Sequence, residues 1–213
     1  MGADAGRVAA MSDKEPRTER GRKTRRRLIE AAAQEFGERG YHDAAITGIT
    51  QRAGAALGTF YTYFDTKEEV FRALVRDMSH SVRTHVAEAV KGAPDRLAAE
   101  RIGLEAFIAF VRRHRELYRI IEEAQFVAED VHREHYVTFA DAYRRNLAAA
   151  RGRGEIAPGE KDGGADEPRA WALIGISVFL GMRYGLWNED LSPGEVADIA
   201  IELVSEGLRK RPS

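Results

Sequence analysis

Residues 28–70 read LIEAAAQEFGERGYHDAAITGITQRAGAALGTFYTYFDTKEEV, and few folds accommodate that order of signals. Leu28, Ala32 and Phe36 recur at helical spacing, and Ile49, Ala53 and Phe60 are placed so that two short helices can pack against them. Gly54 falls where the chain must reverse, and glycine supplies the positive φ that a helix C-terminus favours. A second short helix is expected over about residues 58–64. Phe60 and Phe64 stand four apart and claim its inner face, which turns Thr59, Thr62 and Tyr63 outward. Thr66-Lys67-Glu68-Glu69 then fits a capping box, so a new helix is expected to begin at Lys67. Its lysine and free N–H groups would suit a phosphate. Two short helices joined by a turn, with small polar groups and phenols facing out, are what a helix-turn-helix needs to enter a DNA groove.

Through LIEAAAQEF, GERGY, the QRAG element and above all GTFYTYFDTKEEVF, the chain resembles the TetR family of bacterial transcriptional regulators over about its first third. The resemblance implies an all-α fold, in which an N-terminal three-helix helix-turn-helix DNA-binding domain joins a larger helical ligand-binding and dimerisation domain. It transfers architecture and not the ligand. Carried over residue by residue, it implies that Thr47 contacts a base or the backbone. Leu57, Gly58, Thr59 and Thr62 would face the groove, and Tyr61, Tyr63 and Lys67 would clamp phosphates. Phosphate contacts set register and affinity, whereas base edges decide sequence. Ala45 and Ala56 depart from the family, standing where it has a capping threonine and serine, so each short helix loses a bond worth about 1 kcal/mol. Thr50 replaces a usual alanine, and Leu57 in place of a polar residue favours an apolar touch such as a thymine methyl.

Charge placement agrees. The whole chain is near neutral, with 33 basic and 34 acidic residues, yet residues 14–30 carry eight basic side chains against Glu15, Glu19 and Glu30. This basic arm, with Arg25 among its DNA-facing candidates, can lie along phosphates or reach a minor groove. Residues 1–16 show neither periodicity nor an apolar face and are expected to be a disordered tail, with Met11 an alternative start. The absence of cysteine excludes disulfides, thiolate zinc sites and a cysteine nucleophile, and the N-terminus lacks the apolar run of a secretory signal. The longest apolar stretch, residues 170–187, is interrupted by Arg183 and reads as a buried interface helix rather than a membrane span. A cytoplasmic protein is expected.

The rest of the chain reads as helices, broken at residues 91–94 and 158–168. A long helix from Lys67 carries Val70, Leu74, Met78, Val82 and Val86 on one flank, so it is expected to pass from the first domain into the second. Helices are expected over about residues 95–114, 117–123 and 129–151. Phe107, Phe110, Tyr118, Phe126, Tyr136, Phe139 and Phe179 are candidate lining residues of an apolar pocket, and core packing is the alternative for each. His132 and His135, three apart beside Glu129, Asp130 and Glu134, could share a helix face as zinc would need, but no third ligand follows at a defined spacing. No metal or cofactor is expected. No Ser-His-Asp order, phosphate loop or spaced carboxylate pair supports an enzyme.

Ser177, Gly181 and Gly185 recur every four residues, a strip that lets another helix approach closely. With Ile199 and Leu203 of a last helix over about residues 193–209, they are candidate residues of a four-helix homodimer interface, the alternative for the glycines being packing within one chain. The expected organisation is a tail over 1–16, a DNA-binding domain over 17–66 and a ligand-binding and dimerisation domain over 67–213. The expected function is a ligand-responsive regulator, a repressor released from a pseudo-palindromic double-stranded DNA operator by an apolar effector such as an acyl-CoA or an aromatic compound. The alternative is an effector-independent DNA-binding dimer whose large domain serves dimerisation or protein partners.

Overall fold

The computed structural model describes residues 14–156 and 164–206, and every regular element within them is helical. Among the described residues, nine α-helices follow in order: α1 Glu19–Asp43, α2 Ile46–Ala53, α3 Leu57–Tyr63, α4 Lys67–Ala89, α5 Arg96–Arg113, α6 Arg115–Val127, α7 Glu129–Gly152, α8 Asp166–Gly181 and α9 Pro193–Glu206. Two compact units divide within α4, one ending at Leu74 and the other beginning at Val75. Most of the expected tail lies outside the described residues, although Lys14 bonds the Asp65 carboxylate and the Tyr61 carbonyl.

The first unit is built on an aromatic core. Leu28, Ala32, Phe36, Ile49, Phe60, Phe64, Val70 and Phe71 are all essentially inaccessible. Phe36 meets Phe71 edge to face at 5.1 Å, and Phe60 lies 5.6 Å from Phe64. Gly54 ends α2 at φ 58°, the left-handed turn that its position predicted. Neither Ala45 nor Ala56 provides a side-chain cap. In partial replacement, Glu35 of α1 is buried and accepts the Ala45 N–H at 3.4 Å, while Arg52 Nε holds its other oxygen at 2.8 Å. Arg52 also forks onto Glu38, which holds the Glu38 carboxyl below its ordinary range. Thr66 accepts the Glu69 N–H at 3.1 Å, and the Glu69 carboxylate returns to the Asp65 N–H at 2.6 Å, so the capping device at the start of α4 reaches one residue further back than expected.

In the second unit, Asp95 caps α5 by accepting the Ala98 N–H at 2.8 Å. The helix expected over 117–123 is longer, because His114 N–H closes onto Phe110 and Val111 and α6 starts directly after it. Pro168 lies inside the first turn of α8 rather than in a break, a position where no intrahelical N–H is needed. The rest of the expected break, residues 157–163, lies outside the described residues. Ser192 and Glu195 form a reciprocal cap, with Glu195 N–H to Ser192 Oγ at 3.2 Å and Ser192 N–H to the Glu195 carboxylate at 2.8 Å, and Pro193 opens α9. Val196, Ala197 and Ala200 pack against Leu104 and Ile108 of α5.

The small-residue strip is internal, which corrects its assignment to a dimer interface. A Cβ on Gly181 would stand 2.6 Å from Phe107, and one on Gly185 would stand 2.7 Å from Val111, so both glycines exist to let α5 approach α8 and the π-helical turn Met182–Trp187 that continues it. The segment Asp166–Trp187 is long and apolar enough to cross a membrane by length and composition alone, but this packing against α5 accounts for part of its apolar content.

Gly48 and Gly58 are both helical but differ in surroundings. A Cβ at Gly48 would lie 2.3 Å from the buried Glu35 carboxylate, whereas one at Gly58 would meet nothing within 4 Å. Alanine gains about 1 kcal/mol of helix propensity at either site, and overpacking costs about 1–3 kcal/mol. Gly48→Ala also displaces the carboxylate from the Ala45 N–H and is therefore expected to lower unfolding free energy by about 1–2 kcal/mol in urea titration, while Gly58→Ala leaves it unchanged or raised. Equal stability of the two variants would contradict the placement of Glu35.

Candidate functional site

Two surfaces have the makings of a site, one in each unit. In the first, the burial of Phe60 and Phe64 leaves the rest of α3 outward. Leu57, 45% exposed, stands there with Gly58, Tyr61 and Thr62, and Thr47 of α2 is exposed as well. Thr59 and Tyr63 are half-buried. Thr62 Oγ1 donates to the Gly58 carbonyl at 3.2 Å, leaving its lone pairs outward. Tyr63 reaches toward the N-terminus of α1, its hydroxyl 3.6 Å from where a Gly21 Cβ would stand. Within the arm, Arg17, Arg20 and Arg22 have no carboxylate partner among the described residues, a state that suits phosphates.

Two assigned phosphate contacts are otherwise engaged. Lys67 Nζ donates to the carbonyls of Tyr41, His42 and Ala44 at 2.7, 3.1 and 3.0 Å and lies over the Tyr41 ring. An ammonium has three donors, and all are used to close the end of α1. The side chain is therefore a structural cap rather than a free phosphate clamp. Arg25 is half-buried, pairs with Glu15 at 3.3 Å and lies over the Phe64 ring. Two fixing residues have no obvious signature in the sequence: Glu35, described above, and Arg27, whose guanidinium holds the Ala53 carbonyl at 2.5 Å and so ties α2 to α1.

The second unit contains a cavity enclosing about 760 Å³ of empty space, part of it continuous with solvent. Met78, Val82 and Val86 of α4 line one side, Phe107, Phe110 and Val111 of α5 another, and Tyr118, Tyr136, Phe139, Tyr143, Ile174 and Val178 much of the rest. Five of the seven pocket candidates thus meet. Phe126 and Phe179 do not: they are 86% and 65% exposed, because each lies on the outward side of its helix. Ser177, a candidate interface residue, lines the cavity wall. His114 is a further wall residue that the sequence does not single out, and His135, Tyr143 and Ser177 join the wall as well.

Polar atoms around the cavity are engaged. Tyr118 O–H donates to the Val178 carbonyl at 3.0 Å, and burial pushes the phenols of Tyr118, Tyr136 and Tyr143 up, keeping them protonated. Tyr143 stands near the buried Glu100, whose carboxyl burial raises against the opposing pull of Arg96, 2.9 Å away, and the Ser177 hydroxyl donates to the Leu173 carbonyl at 3.0 Å. His135 is buried, with Nδ1 2.9 Å from Ser79 Oγ. Arg83 can only donate to that oxygen, so the same hydroxyl bridges the guanidinium and the imidazole. His132 and His135 do not form a metal set: no group of three candidate ligands occurs among the described residues.

Residues 28–74 match the family model described as bacterial regulatory proteins, tetR family. The helix-turn-helix segment is that of the TetR family. It is 44% identical over 64 residues to the HTH-type transcriptional regulator YdgC of Bacillus subtilis strain 168, covering 30% of this chain and 33% of that protein. It is 32% identical over 114 residues to the transcriptional activator FasR of Mycolicibacterium smegmatis, covering 54% and 50% respectively. The chain therefore matches between a third and a half of the length of these relatives. Beyond the helix-turn-helix the likeness is one of fold. The transcriptional regulator FadR from Bacillus subtilis, solved in complex with stearoyl-CoA, aligns over 86% of this chain and 99% of its own with a TM-score of 0.70 at 18% identity.

Burial depresses the His135 pKa from 6.5 to about 4, with Arg83 and His132 adding to the effect. Between those pH values the unfolded chain takes up a proton that the folded one refuses, so stability falls as pH is lowered through that window, by up to about 3 kcal/mol. His135→Gln is expected to flatten this limb in urea titrations from pH 7 to 4.5. An unchanged slope would contradict the buried, neutral imidazole.

Proposed function

We propose that this chain is a ligand-responsive DNA-binding transcriptional regulator of the TetR family acting as a cytoplasmic homodimer, a repressor released from a pseudo-palindromic operator by an apolar small molecule. The observation that carries the reading is the presence in one chain of an outward, small-residue α3 face and an apolar cavity, with α4 contributing to both units. α4 begins with the cap at the end of α1 and continues as a wall of the cavity through Met78, Val82 and Val86. A ligand that favours one placement of α4 over another would change DNA affinity by the difference in its binding to the two states.

Base reading is assigned to Leu57, Gly58, Thr59 and Thr62, with Thr47 beside them. Phosphate contact is assigned to Tyr61, Tyr63 and the arm arginines. The cavity favours an effector over the effector-independent alternative, since a domain serving dimerisation alone has no need of an aromatic-lined space. The complex of FadR with stearoyl-CoA makes an acyl compound a reasonable class for this cavity. For the dimer, the exposed Phe179 and Trp171 of α8 and Ile199 and Leu203 of α9 replace the glycine strip as the proposed face.

Anisotropy titration on the DNA flanking the gene, repeated across salt, tests the DNA assignment. Thr62→Ala is expected to cost about 1–3 kcal/mol on the preferred sequence and little on unrelated DNA, with an unchanged salt slope. Equal losses on both DNAs would overturn its role in base reading.

A further inference from the structure

The cavity shares one wall residue, His135, with a smaller recess of different character. Arg76, Ser79, Arg83, Val131, Glu134, His135 and Thr138 line it, and it holds about 270 Å³ of empty space. His135 belongs to both walls, and Phe139, a wall of the apolar cavity, carries the Arg83 guanidinium 5.8 Å from its ring centroid. Arg83 is thus seated where apolar and polar spaces adjoin.

The charges of the recess do not balance. Glu134 is committed to Arg76 at 3.0 Å. Arg83 bonds the neutral Ser79 hydroxyl and has no carboxylate at ion-pair distance among the described residues. Two arginines and one glutamate leave one positive charge. Burial holds the guanidinium below its ordinary pKa, and Glu134, acting through space, opposes this only in part. His135, neutral near pH 7, adds no charge. A half-buried guanidinium without a counter-charge gains most from an anion brought to it, because its desolvation has already been incurred.

Resting on the reading of the large cavity as an effector site, we infer that the ligand is an amphiphilic monoanion, a carboxylic acid whose apolar body fills the aromatic cavity and whose carboxylate meets Arg83 across the wall that the recess shares with it. A single uncompensated cation matches a single carboxylate. A coenzyme A head carries several negative charges and needs several cations, which this recess lacks. The inference therefore separates the free acid from its thioester, although both share the acyl body.

Calorimetric titration of the purified full chain at neutral pH with octanoate, 1-octanol and octanoyl-CoA tests it. Octanoate is expected to bind at least about tenfold more tightly than 1-octanol, the ratio that one charge-assisted contact supplies. Arg83→Gln should remove that preference and leave 1-octanol unchanged. Equal binding of octanoate and 1-octanol to the wild type overturns the acid while leaving the apolar cavity intact. Tighter binding of octanoyl-CoA that survives Arg83→Gln places the head elsewhere and also overturns it. Binding of none of the three removes the cavity reading and this inference together. If Arg83→Gln does not fold, the wild-type comparison of acid and alcohol decides alone.

Discussion

The burial of Phe60 and Phe64 on one side of a seven-residue helix is the constraint on which the first unit depends. A helix that short has too few hydrogen bonds to offset its own nucleation, and α3 has no side-chain cap to assist it. Its existence rests on the two rings entering a core already occupied by Phe36 and Phe71. Because the rings cannot turn away, the opposite face cannot turn in, and Leu57, Gly58, Tyr61 and Thr62 stay outward at modest cost. Glu35 with Arg52, Arg27 on the end of α2, and Lys67 on the end of α1 act on the same small assembly. They satisfy helix-end groups that would otherwise lack partners, and they hold the elements with charged side chains reaching between helices.

The second unit solves a different problem. Its helices bring many aromatic rings together without filling the space between them, and the Tyr118 and Ser177 hydroxyls bond to the Val178 and Leu173 carbonyls. The resulting cavity has an apolar lining with polar atoms at defined places, the composition expected of a small-molecule site. Gly181 and Gly185 contribute by admitting Phe107 and Val111, which sets how closely α5 and α8 approach. α4 runs from the first unit into the second and lines this space through Met78, Val82 and Val86.

The helix-turn-helix is legible in the sequence because its signals are local: the four-residue spacing of Phe60 and Phe64, the glycine at Gly54 and the Thr66 cap each act within one turn of chain. The role of Lys67 is hidden for the opposite reason. Whether its ammonium is free depends on where the end of α1, more than twenty residues earlier, comes to lie. The glycine strip shows the same limit, since small residues at spacing four look alike whether the approaching helix is α5 of the same chain or belongs to a copy. Apolarity alone makes Phe126 and Phe179 pocket candidates, but apolarity does not say which side of a helix faces in. On α9 the broad apolar face divides, with Val196, Ala197 and Ala200 inward and Ile199, Leu203 and Val204 exposed. Glu35 gives no signal in the sequence because its partners come from separate positions along the chain, although the neighbouring Gly48 is the residue that makes room for it.

Reading of DNA by α3 of a two-fold dimer is directly testable. Selection of bound sequences from a random double-stranded pool by the purified full chain tests this with no operator assumed. The account predicts enrichment of an inverted repeat whose half-site centres lie about one helical turn apart or slightly more, the spacing set by two recognition helices in successive major grooves. A pool that enriches no sequence, or one that enriches lone half-sites or direct repeats, would contradict it.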